Sequence, residues 1–244
     1  MTIYERLSAA IAAEQPVAVA TVVGGQAGTG AKLLAQPSGA MVGSLGAGLP
    51  EQEIAGDMLA MLARAESGIR SYATADGDVQ VFIETYPPPP TMFIVGAVHI
   101  AIPLVTFAKT LGFRAVVVDA RGAFATPERF AHADELIMAW PDEALEGKLN
   151  SNSFVVLLTH DPKLDDPALK VALPSPARYV GALGSPTTHA KRLARLREDG
   201  VPEQQLARLH APIGLKLGAN TPEEIAVSII AEVVAAKHGL TGKA

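Results

Sequence analysis

Apolar and polar positions in the first third of the chain alternate in short blocks that predict a small α+β unit. Amphipathic patterns over 3–13 and 50–66 predict helices, and the apolar run 17–23 predicts a buried strand. A glycine-rich loop follows that strand at 24–30. Further strands are predicted at 31–36, 40–45, 70–75 and 79–86, the last two forming a hairpin that turns at Asp76-Gly77-Asp78.

After residue 90 the pattern changes to a regular alternation of strands and helices. The predicted strands are 91–96, 114–119, 135–139, 153–159 and 177–183, and the predicted helices are 99–111, 141–149, 165–173, 186–199, 202–209 and 222–238. Strands separated by helices pair in parallel through right-handed crossovers. The expected fold class is therefore α/β, with a C-terminal Rossmann-like doubly wound parallel sheet preceded by a smaller α+β domain.

Four consecutive prolines, 87–90, separate the two patterns. Because a polyproline II segment continues neither a sheet nor a helix, these prolines predict a short, stiff spacer. The predicted domains are 1–86, the α+β domain, and 91–244, the Rossmann-like domain, with 87–90 as the linker.

Composition limits the classes of partner. The 244 residues are 49% hydrophobic, but no apolar run reaches the roughly 18 residues that a membrane span needs, and no signal peptide is visible. With no cysteine, the chain has neither disulfides nor thiolate metal ligands. Aromatic residues are only 5% and no basic patch accompanies them, which argues against nucleic acid as a partner. We expect a cytoplasmic protein without a membrane segment.

Charge is distributed unevenly along the chain. The part up to Pro90 has four Lys or Arg against nine Asp or Glu and so carries the whole net charge of −5, while the remainder has sixteen of each. An ordinary solvated face is the favoured interpretation. The alternative is an acidic surface that docks on a basic partner.

The turn after the strand at 91–96 has the layout of a dinucleotide-binding unit. Gly96 suits the tight bend, Ala101 allows close packing of helix on strand, and Asp119 ends the next strand, where ribose hydroxyls are bound. Val98, however, stands where a glycine lets backbone amides approach a pyrophosphate. Two interpretations stay open: a nucleotide site, or a Rossmann-type domain in which that site is weakened or lost.

Two more candidate turns follow later strands. In Thr159-His160-Asp161, His160 is a candidate proton donor, metal ligand or hydrogen-bond partner, and Asp161 is either a ligand contact or a helix cap. The segment 181–185, with Gly181, Gly184 and Ser185, is either an anion site or simply a capped helix start. Because the carboxyl ends of parallel strands share one edge, these turns predict a common pocket. The spacing of the histidines predicts no metal site, and no catalytic residue can be assigned.

Together these motifs resemble the XdhC/CoxI family, named for accessory proteins of xanthine dehydrogenase and carbon monoxide dehydrogenase. The resemblance spans nearly the whole chain, and the motifs of its second part are highly specific. It is carried by 96–101, 118–121, 124–130, 159–161, 179–185, 212–215 and 221–229, with 16–23 and 30–46 upstream.

The resemblance implies a maturation protein that acts by binding rather than by turnover. Its implied cofactor is the molybdenum cofactor, molybdopterin, a pterin that bears a phosphate and sometimes a nucleotide. Its implied partner is a molybdenum hydroxylase client enzyme, which receives the cofactor after sulfuration. The residues expected to line the site are Gly96, His99, Asp119, Arg121, His160, Asp161, Gly181, Gly184 and Ser185.

Three departures from the family pattern fall on positions expected to face the ligand. The family usually places Cys-Xaa-Glu after the glycines near Gly46, but Glu51 is preceded by Leu49 and Pro50. Val98 interrupts the glycine turn, and Pro186-Thr187 replaces two basic residues after Ser185. A divergent member with altered or lost cofactor chemistry is therefore an open alternative.

Two other functions compete with cofactor carriage. An NAD(P)-dependent oxidoreductase is suggested by Gly96 and Asp119, although Val98 and the lack of a hydride-transfer constellation weaken it. The second competing function is a non-catalytic module that docks on a molybdoenzyme through its acidic first domain. A homodimer is the default expectation for the oligomeric state.

Overall fold

The computed structural model describes residues 2–25 and 28–240, so Gln26 and Ala27 of the predicted glycine-rich loop lie outside the described residues. The chain divides into two compact units between Pro89 and Pro90. Among the described residues, no helix is both long enough and apolar enough to cross a lipid bilayer.

The first unit is an antiparallel sheet with two helices. Its strands lie in the order β3-β2-β1-β5-β4. In chain order its elements are α1 (Ile3–Ala12), β1 (Val17–Gly24), β2 (Lys32–Ala35), β3 (Met41–Ser44), α2 (Glu51–Arg64), β4 (Gly68–Thr74) and β5 (Gly77–Tyr86).

Burial on both faces explains the unbroken apolar run of β1. Val17 and Val19 pack in a cluster with Ala10 of α1. Ala18 and the other even-numbered positions of the strand point to the opposite face, where they pack against α2. Alternate strand residues face opposite sides of a sheet, so a strand covered on both sides needs apolar residues at nearly every position.

The hairpin turn lies one residue earlier than predicted. Thr74 pairs with Gly77, so the two connecting residues are Ala75 and Asp76, and Gly77 already belongs to β5. Gly77 has a φ of +109°. Glycine adopts this conformation without steric cost, which explains its position at the end of the turn rather than at its centre.

The second unit alternates strands and helices. Its elements are β6 (Thr91–Val95), α3 (Ala101–Thr110), β7 (Arg114–Val118), β8 (Glu135–Ile137), α4 (Pro141–Leu145), β9 (Ser153–Leu157), α5 (Pro162–Ala172), β10 (Tyr179–Ala182), α6 (Pro186–Glu198), α7 (Glu203–Leu206), β11 (Leu209–His210) and α8 (Pro222–Lys237).

All six strands of the second unit are parallel, in the order β11-β10-β9-β6-β7-β8. Counted within the unit, this is the 6-5-4-1-2-3 order of a dinucleotide-binding Rossmann sheet. The predicted α/β class with its doubly wound sheet is confirmed. The strand order reverses between β6 and β9, and ligands of such sheets bind outside the carboxyl ends of the strands at this switch point.

Several elements differ from the sequence-based expectation; α4, for example, was expected over 141–149 but ends at Leu145. A helix was expected over 202–209, but it ends at Leu206, and β11 then adds an edge strand by pairing with β10. Helix α3 begins at Ala101 instead of 99, because residues 98–100 form a turn that no side chain caps. Helix α5 begins at Pro162 instead of 165, because the Asp161 side chain caps it by accepting from the Lys163 N–H.

A buried carboxylate holds α8 against the sheet. Glu232 accepts hydrogen bonds from Tyr179 Oη at 2.6 Å, from the Gly214 N–H at 2.6 Å and from His210 Nδ1 at 3.1 Å. Burial opposes ionisation of Glu232, but the bonds from His210, Tyr179 and the Gly214 amide outweigh it, and its pKa lies below the ordinary value of 4.5. The carboxylate therefore joins α8 to β10, β11 and the segment after β11.

We expect Glu232→Gln to lower the free energy of unfolding at neutral pH by about 2 kcal/mol, since bonds to a charged acceptor are weakened or lost. A lowered pKa in the folded state gives stability that is present above about pH 4.5 and is lost as the pH falls through the folded pKa. Urea unfolding at a series of pH values should show that the wild-type protein and Glu232→Gln have nearly the same free energy of unfolding below this pH. A difference that stays constant down to about pH 3, or an equal effect of Glu203→Gln at an exposed position, would contradict this account.

Candidate functional site

The candidate turns lie side by side along the carboxyl edge of the second unit's sheet. Backbone hydrogen bonds continue the strand pairing into them: the Gly96 N–H donates to Val118 O at 2.8 Å, and the Leu158 N–H donates to Val95 O at 2.8 Å. The Leu183 N–H donates to Leu157 O at 2.8 Å. The turns after β6, β9 and β10 are therefore held in register at the topological switch point.

Gly96 is required by both conformation and space. Its φ is +109°. A Cβ added to it would lie 2.5 Å from Thr159 Cγ2, a distance that real contacts do not reach. Close contact between the turns after β6 and β9 therefore depends on a glycine at this position.

The two residues after this turn, Val98 and His99, differ in exposure. Val98 is half-buried and packs against the core beneath α3. Its carbonyl accepts from the Ala101 N–H at 3.0 Å. His99 is exposed in the turn before α3. The valine thus adds a side chain at the position where the dinucleotide fingerprint has a glycine, and this side chain packs on the core, whereas His99 is exposed to solvent.

Asp119 is completely buried, and its two oxygens are already bonded. Oδ2 accepts from the Ala97 N–H at 2.8 Å and from Arg121 Nη2 at 2.7 Å. Oδ1 accepts from the Arg121 N–H and from Arg121 Nε, both at 2.9 Å. Burial alone would raise the pKa of this carboxyl, but the bonds from Arg121 and the Ala97 amide outweigh it and hold the pKa below its ordinary value.

Arg121 is fixed on one side and open on the other. Its side chain is 34% exposed although it is paired with Asp119. Its Cζ lies 4.5 Å from the ring centroid of Phe124, which is itself exposed. Its pKa is raised, chiefly by hydrogen bonds to Asp119. The guanidinium is therefore charged, oriented and accessible at the end of β7.

A buried ion pair joins the turns after β9 and β10. Thr159 Oγ1 donates to Asp165 Oδ1, and Arg192 Nη2 donates to Asp165 Oδ2 at 2.8 Å and to Leu183 O at 3.0 Å. The Asp165 and Arg192 side chains are 2% and 1% exposed. Burial raises the pKa of the Asp165 carboxyl, against the opposing bonds from Thr159 and Arg192.

Sequence patterns did not single out Asp165 or Arg192. Each sits in an amphipathic helix, where an ionisable residue ordinarily belongs to the solvated face. Arg192 Nε and Nη1 have no hydrogen-bond partner among the described residues, and Nη1 lies beneath the turn, 3.8 Å from where a Gly184 Cβ would be. The spacing of six residues between Thr159 and Asp165 is not a specific signal, so nothing in the sequence pointed to this ion pair.

The structure distributes the other predicted residues between ligand-accessible and structural positions. His160 is exposed at the edge, whereas Asp161 accepts from the Lys163 N–H at 3.0 Å as the cap of α5. Gly181 lies inside β10, where an added Cβ would meet Tyr179 Oη at 2.5 Å, so its small size serves packing against that ring. Ser185 caps α6 by accepting from the Thr188 N–H at 3.2 Å.

The predicted site residues thus fall into two groups. Gly96, Asp119 and Arg121 are brought together with Thr159 at the switch point, and Arg192 lies beneath Gly184 while bonding the neighbouring Leu183 O. Gly181 lies apart from the turns. Among the described residues, no group of three or more His, Cys, Asp or Glu side chains is arranged to hold a metal ion. The assignment of each residue to ligand binding stays a prediction.

The first unit places Glu51 where the family pattern has its motif glutamate. Glu51 Oε1 accepts from Ser44 Oγ and the Leu45 N–H, both at 2.6 Å. These two bonds hold the pKa of Glu51 below its ordinary value. The residues 46–50 line an open depression of about 680 Å³ beside it. The carboxylate therefore fixes the loop into α2, and no thiol is present there.

Comparison with known proteins identifies the family. Residues 92–233 match the XdhC Rossmann domain, and residues 10–73 match the XdhC and CoxI family. The chain belongs to the XdhC and CoxI family. The resemblance seen in the sequence motifs is confirmed.

Three curated proteins show the range of relatives. The uncharacterized protein YqeB of Escherichia coli (strain K12) is 31% identical over 245 residues, covering 93% of this chain and 44% of YqeB. A probable xanthine dehydrogenase subunit of Bacillus subtilis (strain 168) is 34% identical over 160 residues, covering 65% of this chain and 46% of that protein. The molybdenum cofactor insertion chaperone PaoD of Escherichia coli (strain K12) is 33% identical over 90 residues, covering 37% of this chain and 28% of PaoD.

The chain spans less than half the length of these curated relatives. Among solved structures, it is similar to a crystal structure of a xanthine dehydrogenase from Bacillus halodurans, with a TM-score of 0.55 and 23% identity. That match covers 98% of this chain and 96% of the other. At this identity the similarity shows a shared fold.

We expect Gly96→Ala to destabilise the protein by roughly 2–5 kcal/mol, because a positive φ and a clash with Thr159 act together. Gly112→Ala is the matched control: its φ is +78° and no atom lies within 4 Å of its added Cβ, so only the backbone strain applies. Thr159→Ser removes the clashing methyl and should bring the destabilisation by Gly96→Ala closer to that by Gly112→Ala. Chemical denaturation measures all three, and equal costs at Gly96 and Gly112 would contradict the close contact.

We expect Arg192→Met to cost about 3–5 kcal/mol, because it leaves the Asp165 carboxylate buried without its partner. Asp165→Asn in the Arg192→Met background should recover part of this loss, since the unpaired charge is removed and an acceptor for Thr159 is kept. Lys170→Ala, which breaks the exposed pair with Asp199, should cost less than about 1 kcal/mol. Urea unfolding measures these free energies. A loss of stability in Arg192→Met no larger than that in Lys170→Ala would show that the Asp165–Arg192 pair is structurally unimportant.

Proposed function

We propose that this chain is an accessory protein for the maturation of molybdenum hydroxylases of the xanthine dehydrogenase or carbon monoxide dehydrogenase type. It binds the molybdenum cofactor or a nucleotide form of it at the carboxyl edge of the Rossmann sheet and assists its insertion into the client. Membership of the XdhC and CoxI family supports this role, as does similarity to a relative named as a molybdenum cofactor insertion chaperone.

The observation that carries the proposal is the buried network at the switch point. Thr159, Asp165 and Arg192 tie the turn after β9 to the turn after β10, and Gly96 packs directly on Thr159. A preformed rigid edge suits a protein that must hold a cofactor in one orientation and then release it unchanged, because little ordering entropy is lost on binding.

The residues present fit the phosphate part of such a cofactor. Arg121 presents a charged guanidinium, and the Thr187 N–H at the start of α6 has no acceptor among the described residues. Helix-terminal amides and arginine are common phosphate partners. These groups supply binding and orientation, and the cofactor itself carries the molybdenum chemistry to the client.

The same residues set limits on the role of the chain. With no cysteine, this chain has no thiolate to ligate molybdenum or to carry sulfur. Its contribution is therefore to bind, orient and hand over the cofactor, while sulfur comes from another protein. The NAD(P)-dependent oxidoreductase is a weaker alternative, because Val98 replaces a glycine of the dinucleotide fingerprint and Asp119 has no free oxygen for a ribose.

The test is binding of molybdenum cofactor released anaerobically from a molybdoenzyme. The purified full chain is mixed with the cofactor and passed through a gel-filtration column, and the protein fraction is assayed for molybdenum by mass spectrometry and for pterin by fluorescence after oxidation. We expect both to co-elute with the protein and the loaded protein to activate a cofactor-free molybdenum hydroxylase. Cofactor carriage is wrong if neither co-elutes while PaoD, treated identically, retains both.

A further inference from the structure

The carboxylate at the end of β7 is not available to a ligand. Asp119 accepts four hydrogen bonds, from the Ala97 N–H, the Arg121 N–H, Arg121 Nε and Arg121 Nη2. A carboxylate offers about four lone-pair sites, so none is left for ribose hydroxyls. Its complete burial removes it from the ligand surface as well.

We propose that Arg121 is the residue that contacts the ligand at this position and that it binds a phosphate monoester, with Asp119 acting as the positioning residue behind it. This rests on the proposed function in locating the ligand at the carboxyl edge, and it names the group that the edge selects. Dinucleotide-binding sheets place either an acid for a ribose hydroxyl or an arginine for a ribose phosphate near this strand end.

The guanidinium is preorganised for this contact. Nε and Nη2 are bonded to Asp119, while Nη1 has no acceptor among the described residues. Of the five donor hydrogens of an arginine, about three therefore remain for a ligand. The Phe124 ring at 4.5 Å holds the plane of the group. The contacts with Asp119 and Phe124 fix the Arg121 side chain before binding. Little rotamer entropy is therefore lost when the guanidinium donates to two phosphate oxygens.

The surrounding charges permit an anion at this position. Asp161 and Asp165 act on Arg121 through space, but Asp165 is neutralised by its pair with Arg192. Arg129 lies on the same loop as Arg121, where its Nη1 donates to Phe124 O at 2.6 Å, and its positive charge offsets that of the neighbouring Glu128 carboxylate. The free N–H groups of Arg121 are positively charged donors and cannot bind a cation. The ligand group must therefore be a hydrogen-bond acceptor, and an anionic acceptor is favoured.

Two sources could supply this phosphate: the phosphate of the pterin itself, or a phosphate on the ribose of an attached nucleotide. Val98 stands where a glycine would let backbone amides approach a pyrophosphate, which disfavours a pyrophosphate at the start of α3. A terminal phosphate reaching Arg121 needs no such approach. The chemistry shared by both sources is a phosphate monoester.

Calorimetric titration of the full chain with two matched ligand pairs tests this. One pair is adenosine 2′-monophosphate and adenosine. The other is the oxidised pterin obtained from molybdopterin, with its phosphate and after phosphatase treatment. We expect the extra phosphate to tighten binding by about tenfold or more in at least one pair, and the responding pair identifies the source.

Three variants locate the effect. Arg121→Gln should abolish the preference for the phosphorylated member, and Arg121→Lys, which keeps a charge without the fork, should retain part of it. Arg114→Gln is the matched control, because it removes an exposed arginine at the opposite end of β7 and should leave the preference unchanged. Circular dichroism checks that each variant is folded, and Arg121→Lys keeps a partner for Asp119 if Arg121→Gln unfolds.

The outcomes separate this inference from the proposed function. If the wild-type protein binds both members of each pair equally, or if the preference survives unchanged in Arg121→Gln, then Arg121 is not a phosphate site. Cofactor co-elution together with that result would leave the maturation role standing. A preference that depends on Arg121, without cofactor co-elution, would instead keep the phosphate site and remove molybdenum cofactor carriage.

Discussion

The buried ion pair between Asp165 and Arg192 is the interaction on which the candidate site depends. It lies between α5 and α6 and reaches Thr159 on one side and Leu183 on the other. A buried pair is weak evidence for stability, because hydrophobic residues of the same volume pack equally well. Its value here is geometric, since it fixes two turns that belong to different strands.

A second polar arrangement, centred on Asp119, fixes the turn after β7. Asp119 bonds the Ala97 amide and both ends of Arg121, so the first two strands of the unit are joined at their carboxyl ends. The contact of Gly96 with Thr159 closes the gap between the two arrangements. Together they give a rigid edge at the one place where the sheet reverses its strand order, and Arg121 is the charged side chain that this edge exposes.

The sequence predicted the architecture well because it is set by local signals. Periodicity located most strands and helices, and the cap at Thr221 and Glu224 marked the start of α8. β11 was missed because its two residues are too short for any period to show. The turns were found because glycines and polar residues follow apolar strands. The Asp165–Arg192 pair was not, because burial of charged residues is a tertiary property that helical patterns do not reveal.

Hydrogen exchange with and without bound molybdenum cofactor tests most directly whether the edge is the binding site. If it is, the amides of 96–101, 119–124 and 183–188 should exchange more slowly in the loaded protein, because these turns surround the ligand and lose their opening motions. The strands that carry them should change little. Protection confined to the loop 46–51 of the first unit, with the three turns unaffected, would show that the cofactor is held elsewhere and would contradict the account.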